Sequence, residues 1–352
     1  MAREALQDAR KKVKSVIQNF KTRWFDTVIS QLKSGKEYWE AVRKLKEGIT
    51  TYKPVPQPSF YNAEGLECQT AAENAEAVRS HFSKVFNILS SFDSDVVEEL
   101  KQKEVRSYLD DDPTEEEISQ AIYNAKSGKA CGDSGLAAEF WKALDQNKET
   151  ASLLHDYIKV CWNSSSCPET WLTNRLKLLY KGKGDPRDLN NWRGIMLIES
   201  AAKIVCSIIG SRIQQVLEQV GIEEQNASGF TSKRGGIDGI FSLRAAFQKR
   251  REHGLESWAI FIDLIKAFDS VPREALFNVL KKFGFPKKFC DLIRAFHTDL
   301  KVKIAMNGQD VIVDSTTGVK QGCTLAPILF TVYFQACVEI IEKRFVEARI
   351  SF

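Results

Sequence analysis

The last hundred or so residues constrain the fold more than any other stretch. Trp258-Ala259-Ile260-Phe261-Ile262 is an unbroken apolar run that ends at Asp263, which predicts a buried strand. Helical spacing follows over 276–283 and again over 289–296. Residues 302–305 and 311–313 then flank Asn307-Gly308, a dipeptide that tolerates positive φ and so favours a two-residue hairpin. Gly318-Val319-Lys320-Gln321-Gly322 reads as a turn, and an apolar helix begins near Pro327. The order β, α, α, β-hairpin, α predicts a split βαβ-type sheet with helices on one face, so the expected fold class is α/β (α+β).

Upstream, Val13, Val16, Ile17, Phe20 and Trp24 recur at helical spacing and predict a long amphipathic helix over 4–33. Its basic face, Lys11, Lys12, Lys14, Lys21 and Arg23, is either a solvated surface or an RNA contact. A second helix holds Tyr38, Trp39, Val42 and Leu45, and Pro54, Pro56 and Pro58 form an extended connector. Apolar spacing from Ala75 to Leu89 marks another helix. Asp110-Asp111-Asp112-Pro113 reads as a solvated helix entrance, because Thr114 and Glu117 have the spacing of a capping box. Strands are expected over 175–180 and 195–198, with a helix over 201–220. These signals divide the chain into 1–59, 60–112, 113–255 and 256–352.

Charge is uneven along these blocks. The net charge is only +4, but residues 1–60 carry +7, 61–120 carry −10 and 161–352 carry +7. Eight cysteines are scattered without a CxxC pair or a histidine at ligand spacing, which argues against zinc. Ser127-Gly128-Lys129 is no P-loop, because Tyr123 stands where the first glycine is needed and Ala130 follows the lysine. The apolar stretch 325–341 includes Pro327, Gln335 and Glu339, too short and too polar for a membrane span. With no signal-like N-terminus, the expectation is a soluble intracellular protein, cytoplasmic or nuclear, with no membrane partner.

Asp263, at the carboxyl end of the expected strand, is the first candidate for chemistry. Asp269 follows six residues later; both carboxylates could hold a divalent metal, or Asp263 alone could, with Asp269 capping the next helix. FIDLIKAFDSVPREAL at 261–276 and GVKQGCTLAPILF at 318–330 resemble the reverse transcriptases of non-LTR, LINE-like retrotransposons. The resemblance extends to LLYKGKGDPRDLNNWRGIMLIESAAKI at 178–204, ASGF at 227–230 and SGKACGDSGLAAEFW at 127–141, and more weakly back to about residue 60.

The resemblance implies a right-hand polymerase: a helical extension, fingers over 113–255 and an incomplete palm over 256–352. Asp263 matches the catalytic carboxylate that holds Mg²⁺, with the Leu264 carbonyl as a further ligand, while Asp269 is assigned to helix capping. Phe268 matches the bulky residue beneath the nucleotide sugar that disfavours a 2′-hydroxyl. Arg193 matches the arginine on the incoming triphosphate, Lys183 is a second such contact, and Gln321 and Gly322 match the turn lining the nucleotide and template pocket. The implied partners are an RNA template, a DNA primer and dNTPs; whether a second chain completes the palm is not written in the sequence.

Two departures from the family pattern matter. Thr231 stands where arginine usually follows Gly229-Phe230, with Lys233 and Arg234 nearby to replace its charge. The aromatic-Ala-Asp-Asp motif that supplies the other metal-binding carboxylates does not occur after Phe330. The expectation is a truncated reverse transcriptase, inactive alone and poorly soluble, without its thumb or endonuclease. The alternatives are a non-catalytic nucleic-acid-binding remnant or a decayed retroelement product.

Overall fold

The computed structural model describes residues 57–88, 94–220, 236–259, 261–306 and 308–347. All of them except Gln57 fall in one compact unit, Pro58–Phe352. The helices expected over 4–33 and about 38–45, Pro54 and Pro56, the 229–234 stretch, Ile260 and Asn307 lie outside the described residues.

Helix α1 (Ala71–Phe86) starts where the Thr70 hydroxyl accepts the Glu73 amide, and it buries Val78, Phe82, Val85 and Phe86. A short α2 (Ser94–Glu98) precedes α3 (Glu115–Asn124). The expected capping box is present at α3: the Thr114 hydroxyl accepts the Glu117 amide, and the Glu117 carboxylate accepts the Thr114 amide. Helices α4 (Ala138–Asp145), α5 (Lys148–Ser164) and α6 (Glu169–Leu172) lead to strands β1 (Thr173–Tyr180) and β2 (Trp192–Leu197). Helix α7 (Ser200–Val220) runs through the core, burying Ala202, Val205, Ile209 and Ile213 completely. Helix α8 (Gly236–Glu252), α9 (Arg273–Lys282), α10 (Lys287–Ala295), the hairpin β3 (Leu300–Met306) and β4 (Gln309–Ser315), and α11 (Ala326–Glu347) complete the described chain. None of these helices is long and apolar enough to cross a membrane.

The fold is mixed α/β, as expected, and its sheet joins two hairpins in the order β2-β1-β3-β4. β1 and β2 pair antiparallel, as do β3 and β4, and β1 runs parallel to β3 with Arg175 opposite Lys303. The hairpin expected around Asn307-Gly308 forms, with Met306 facing Gln309 and Gly308 at φ +82°. Period-two alternation sorts the faces. Leu176, Leu178, Val302, Ile304, Val311 and Val313 are buried, while Arg175 and Lys177 lie on the exposed face. Asp133 reaches that face to pair with Arg175 at 2.6 Å and Lys303 at 3.4 Å.

One expected element is absent from the described residues. Trp258, Ala259, Phe261 and Ile262 lie in no strand, and Trp258, Phe261 and Ile262 are 88%, 81% and 80% exposed. The sheet ends at β2 and β4, so no described strand lies beside this run. Without a neighbour, an extended segment gains neither ladder hydrogen bonds nor a surface on which to bury its side chains. Helix α8 likewise has no buried residue and exposes Ile237, Ile240 and Phe241.

Exposed apolar side chains this dense promote association. The purified chain is expected to self-associate, and replacing Phe261 and Ile265 together by Lys should raise the monomer fraction in light scattering. An unchanged size distribution would exonerate this run.

Candidate functional site

The 318–322 turn is where distant parts of the chain meet. The amides of Thr316 and Thr317 donate to the Phe86 carbonyl, the Gly318 amide to Val271 at 2.8 Å and the Val319 amide to Phe268 at 2.9 Å. On its other side, the Met196 amide of β2 donates to the Gln321 carbonyl at 2.9 Å. Both ends of the turn require glycine. Gly318 has φ +77°, and a Cβ there would lie 2.8 Å from the Asp269 backbone. Gly322 has φ +113°, and its Cβ would lie 2.6 Å from the Met196 carbonyl oxygen.

Arg273, in the first turn of α9, locks the approach to this turn. Its Nε donates to the Gly318 carbonyl at 3.0 Å, and Nη1 donates to the carbonyls of His297 and Ser315, each at 2.6 Å. Nη2 donates to the Ser315 hydroxyl at 2.8 Å and the Thr317 carbonyl at 3.0 Å. Five donors therefore meet five acceptors, none of them a carboxylate. Burial lowers the guanidinium pKa to about 10, which leaves it charged at neutral pH. Next along the turn, Lys320 is 2% exposed, and its Nζ has no hydrogen-bond partner. It lies 5.7 Å from the centre of the Phe296 ring.

Of the residues singled out in the sequence, Phe268, Gln321 and Gly322 belong to this junction. The Phe268 ring stacks on Phe330 with centroids 5.1 Å apart. Its backbone is set by a tight turn in which Lys266 takes φ +51° and its carbonyl accepts the amides of both Asp269 and Ser270. Arg193 is exposed on β2, opposite Leu179 and three residues before Met196. Lys183 is exposed between Gly182 and Gly184, both at positive φ, in a turn pinned by the Lys181 amide to the Asn191 carbonyl. Asp263 and Leu264 are exposed in irregular chain, and Asp263 does not end a strand.

No group of three or more His, Cys, Asp or Glu among the described residues could hold a metal ion. Mg²⁺ is commonly held by one or two carboxylates plus substrate phosphates. Asp263 thus fits as a partial ligand, not as part of a protein cage. Asp269 does not cap α9, because the N-cap is Pro272 and no side chain caps the helix. Burial instead pushes its carboxyl pKa up to about 6, against an opposing pull from Lys266.

Three features escaped sequence reasoning. Arg273 sits in VPREAL with nothing to mark it as a hub, since its acceptors are carbonyls more than twenty residues away. Lys320 was legible only as part of a turn. The third is a basic corner around His81 of α1. Burial lowers the His81 pKa to about 4, Lys266, Lys84 and Lys181 lower it further, and Asp188 opposes them. Only folding brings these segments together.

Residues 181–352 match the family described as reverse transcriptase (RNA-dependent DNA polymerase). The chain is 26% identical over 289 residues to the transposon TX1 uncharacterized 149 kDa protein of Xenopus laevis, covering 78% of this chain and 21% of that protein. It is 21% identical over 341 residues to a probable RNA-directed DNA polymerase from transposon BS of Drosophila melanogaster, covering 92% and 36%. It is 22% identical over 326 residues to the RNA-directed DNA polymerase from mobile element jockey of the same fly, covering 88% and 34%. Just under half of the chain thus matches a reverse transcriptase family. More narrowly, the chain as a whole is similar to proteins named as RNA-directed DNA polymerases of transposons and mobile elements. It spans between about a fifth and a third of the length of these curated relatives.

Two outcomes test this geometry. Arg273→Met strands four carbonyls and a hydroxyl, and should lower the unfolding free energy by about 3 kcal/mol or more in urea titration. The Asp269 pKa is about 6 in the folded chain against an ordinary 3.8, so the unfolded chain releases that proton first. Stability should therefore fall as pH rises through this interval. Asp269→Asn should be more stable than wild type at pH 7.5 and no different at pH 3.5, as read by thermal melts at the two pH values.

Proposed function

We propose that this chain supplies the nucleotide- and template-binding side of an RNA-directed DNA polymerase active site, with an RNA template, a DNA primer and dNTPs as its substrates. The observation that carries this reading is the seating of the 318–322 turn between the Phe268–Val271 backbone and β2. It gathers Phe268, Gln321 and Gly322 beside the strand that bears Arg193.

Arg193 offers a planar, permanently charged donor to the triphosphate, and Lys183 a point charge. Phe268 closes the space below the sugar, where a 2′-hydroxyl would meet its ring. At Gly322 the lack of a side chain lets the turn close on the Met196 carbonyl of β2 and so holds Gln321 at the edge of the proposed pocket. Asp263 and the Leu264 carbonyl would hold Mg²⁺ jointly with the substrate phosphates, and the ion would supply charge neutralisation at the primer 3′-hydroxyl and the leaving pyrophosphate.

A second reading, nucleic-acid binding without synthesis, is favoured by one observation: no described group of three ligands surrounds Asp263. Binding of this kind weakens steeply with salt as phosphate contacts are lost. The two readings separate on nucleotide binding to the chain–primer–template complex. Arg193→Ala should weaken dNTP affinity 10- to 100-fold, the loss of a charge-assisted hydrogen bond or two. Phe268→Ala should bring rNTP affinity close to that of dNTP. If neither variant differs from wild type while RNA binding keeps its salt dependence, the second reading takes over.

A further inference from the structure

We propose that the cavity between α3, α4, α7 and the 322–324 segment is an oxyanion site that takes free diphosphate. The inference rests on the lining of this cavity and does not depend on the polymerase reading.

The cavity measures about 240 Å³, and its charged lining residues are Lys126, Lys129 and Lys203. No acidic residue is among the described residues that line it. Lys126 and Lys129 are exposed and Lys203 is half-buried. Among the described residues, no ion pair or hydrogen bond engages the amino group of any of the three. Three like charges gathered at one small cavity repel one another, and a polyvalent anion relieves that repulsion.

The uncharged lining also supplies donors. The Ser207 and Thr324 hydroxyls are free to turn inward, and the Asn124 amide oxygen already accepts from Gln120 at 3.0 Å, which leaves its NH₂ group. Trp141 adds an indole Nε1 that is buried without a hydrogen-bond partner. The same Trp141 borders a second cavity, of about 790 Å³, lined by Asp133, Glu169 and Glu199 and by no basic side chain among the described residues. An anion is therefore drawn to one side of the indole and repelled from the other.

Lys126 and Lys129 flank the Ser127-Gly128 pair whose surrounding sequence is no P-loop, and the structure agrees with that exclusion. The Gly128 amide donates to the Glu139 carboxylate at 2.6 Å, so it is not offered to a phosphate. Binding here falls to side chains, with lysine as the point-charge partner of a phosphate.

Size and charge select the anion. The volume equals that of about eight waters, below the roughly 300 Å³ at which pockets begin to hold drug-sized ligands, so a whole nucleotide is excluded. A phosphodiester carries a single negative charge and a terminal phosphate about two. Diphosphate carries more, on two tetrahedra that reach several lysines at once, and so matches three ammonium groups best. A nucleic-acid strand offers the same oxyanion at lower charge per phosphate, and the experiment separates the two sources.

The test acetylates the full chain with sulfosuccinimidyl acetate in metal-free buffer at constant ionic strength, with increasing sodium diphosphate. Peptide mass spectrometry reads the rate at each lysine. Near saturation, diphosphate should slow acetylation of Lys126, Lys129 and Lys203 about tenfold. Lys177 and Lys301, exposed on β1 and β3, should react as before. Lys203→Met should raise the diphosphate concentration needed to protect Lys126 and Lys129 about tenfold, as for a lost charge-assisted hydrogen bond. Trp141→Phe, which keeps a ring and removes the N–H, should raise it about threefold. Equal slowing at every lysine, or none at these three, would overturn the proposal. Protection of the three by a short oligodeoxythymidine but not by diphosphate would also overturn it and reassign the cavity to a strand backbone. The wild-type map decides this even if a variant fails to fold.

Discussion

A buried guanidinium with only backbone oxygens and one hydroxyl for company is the interaction on which the site depends. Arg273 gathers the end of α10, the end of β4 and the start of the 318–322 turn, segments that share no regular ladder with one another. Carbonyls that would otherwise be buried without donors are satisfied by one side chain. Arg212 of α7 plays a similar part. It donates to the carbonyls of Leu109, Asp111 and Asp112, pairs with Glu117 at 2.7 Å, and lies 4.7 Å from the Trp162 ring. In both places irregular chain is ordered by a planar cation with a fixed fork of donors.

Around these hubs the sheet has a simple logic. Each hairpin is locally determined, and the parallel pairing of β1 with β3 joins them into one surface. β2 therefore carries Arg193 on the same sheet that carries the β3–β4 hairpin, and the turn following β4 returns to contact β2 at Met196. The proposed nucleotide pocket is a product of that return.

Signals confined to short stretches were legible in the sequence. The capping box at Thr114 and Glu117, the β3–β4 hairpin and the alternating strand over 175–180 all depend on residues a few positions apart. The run from Trp258 to Ile262 misled because a strand is a property of two segments: its apolar content is right, but no described neighbour pairs with it. Asp269 misled differently. Its position ahead of a helix suggested a cap, but Pro272 takes that place and the carboxyl is drawn into partly buried surroundings. Phe268, Gln321 and Gly322 were singled out through family motifs, whereas Arg273 and the basic corner at His81 have no local pattern to read.

The contact between Gly322 and the Met196 carbonyl makes the spacing between turn and strand a matter of main chain against main chain. Exposed side chains of β2 can then vary in size without moving the turn, much as a hinge is set by its pin and not by the panels it carries. A mutational scan of this corner would be lopsided. An exposed position of β2 such as Arg193 would fold with many replacements, while Gly322 would accept almost none.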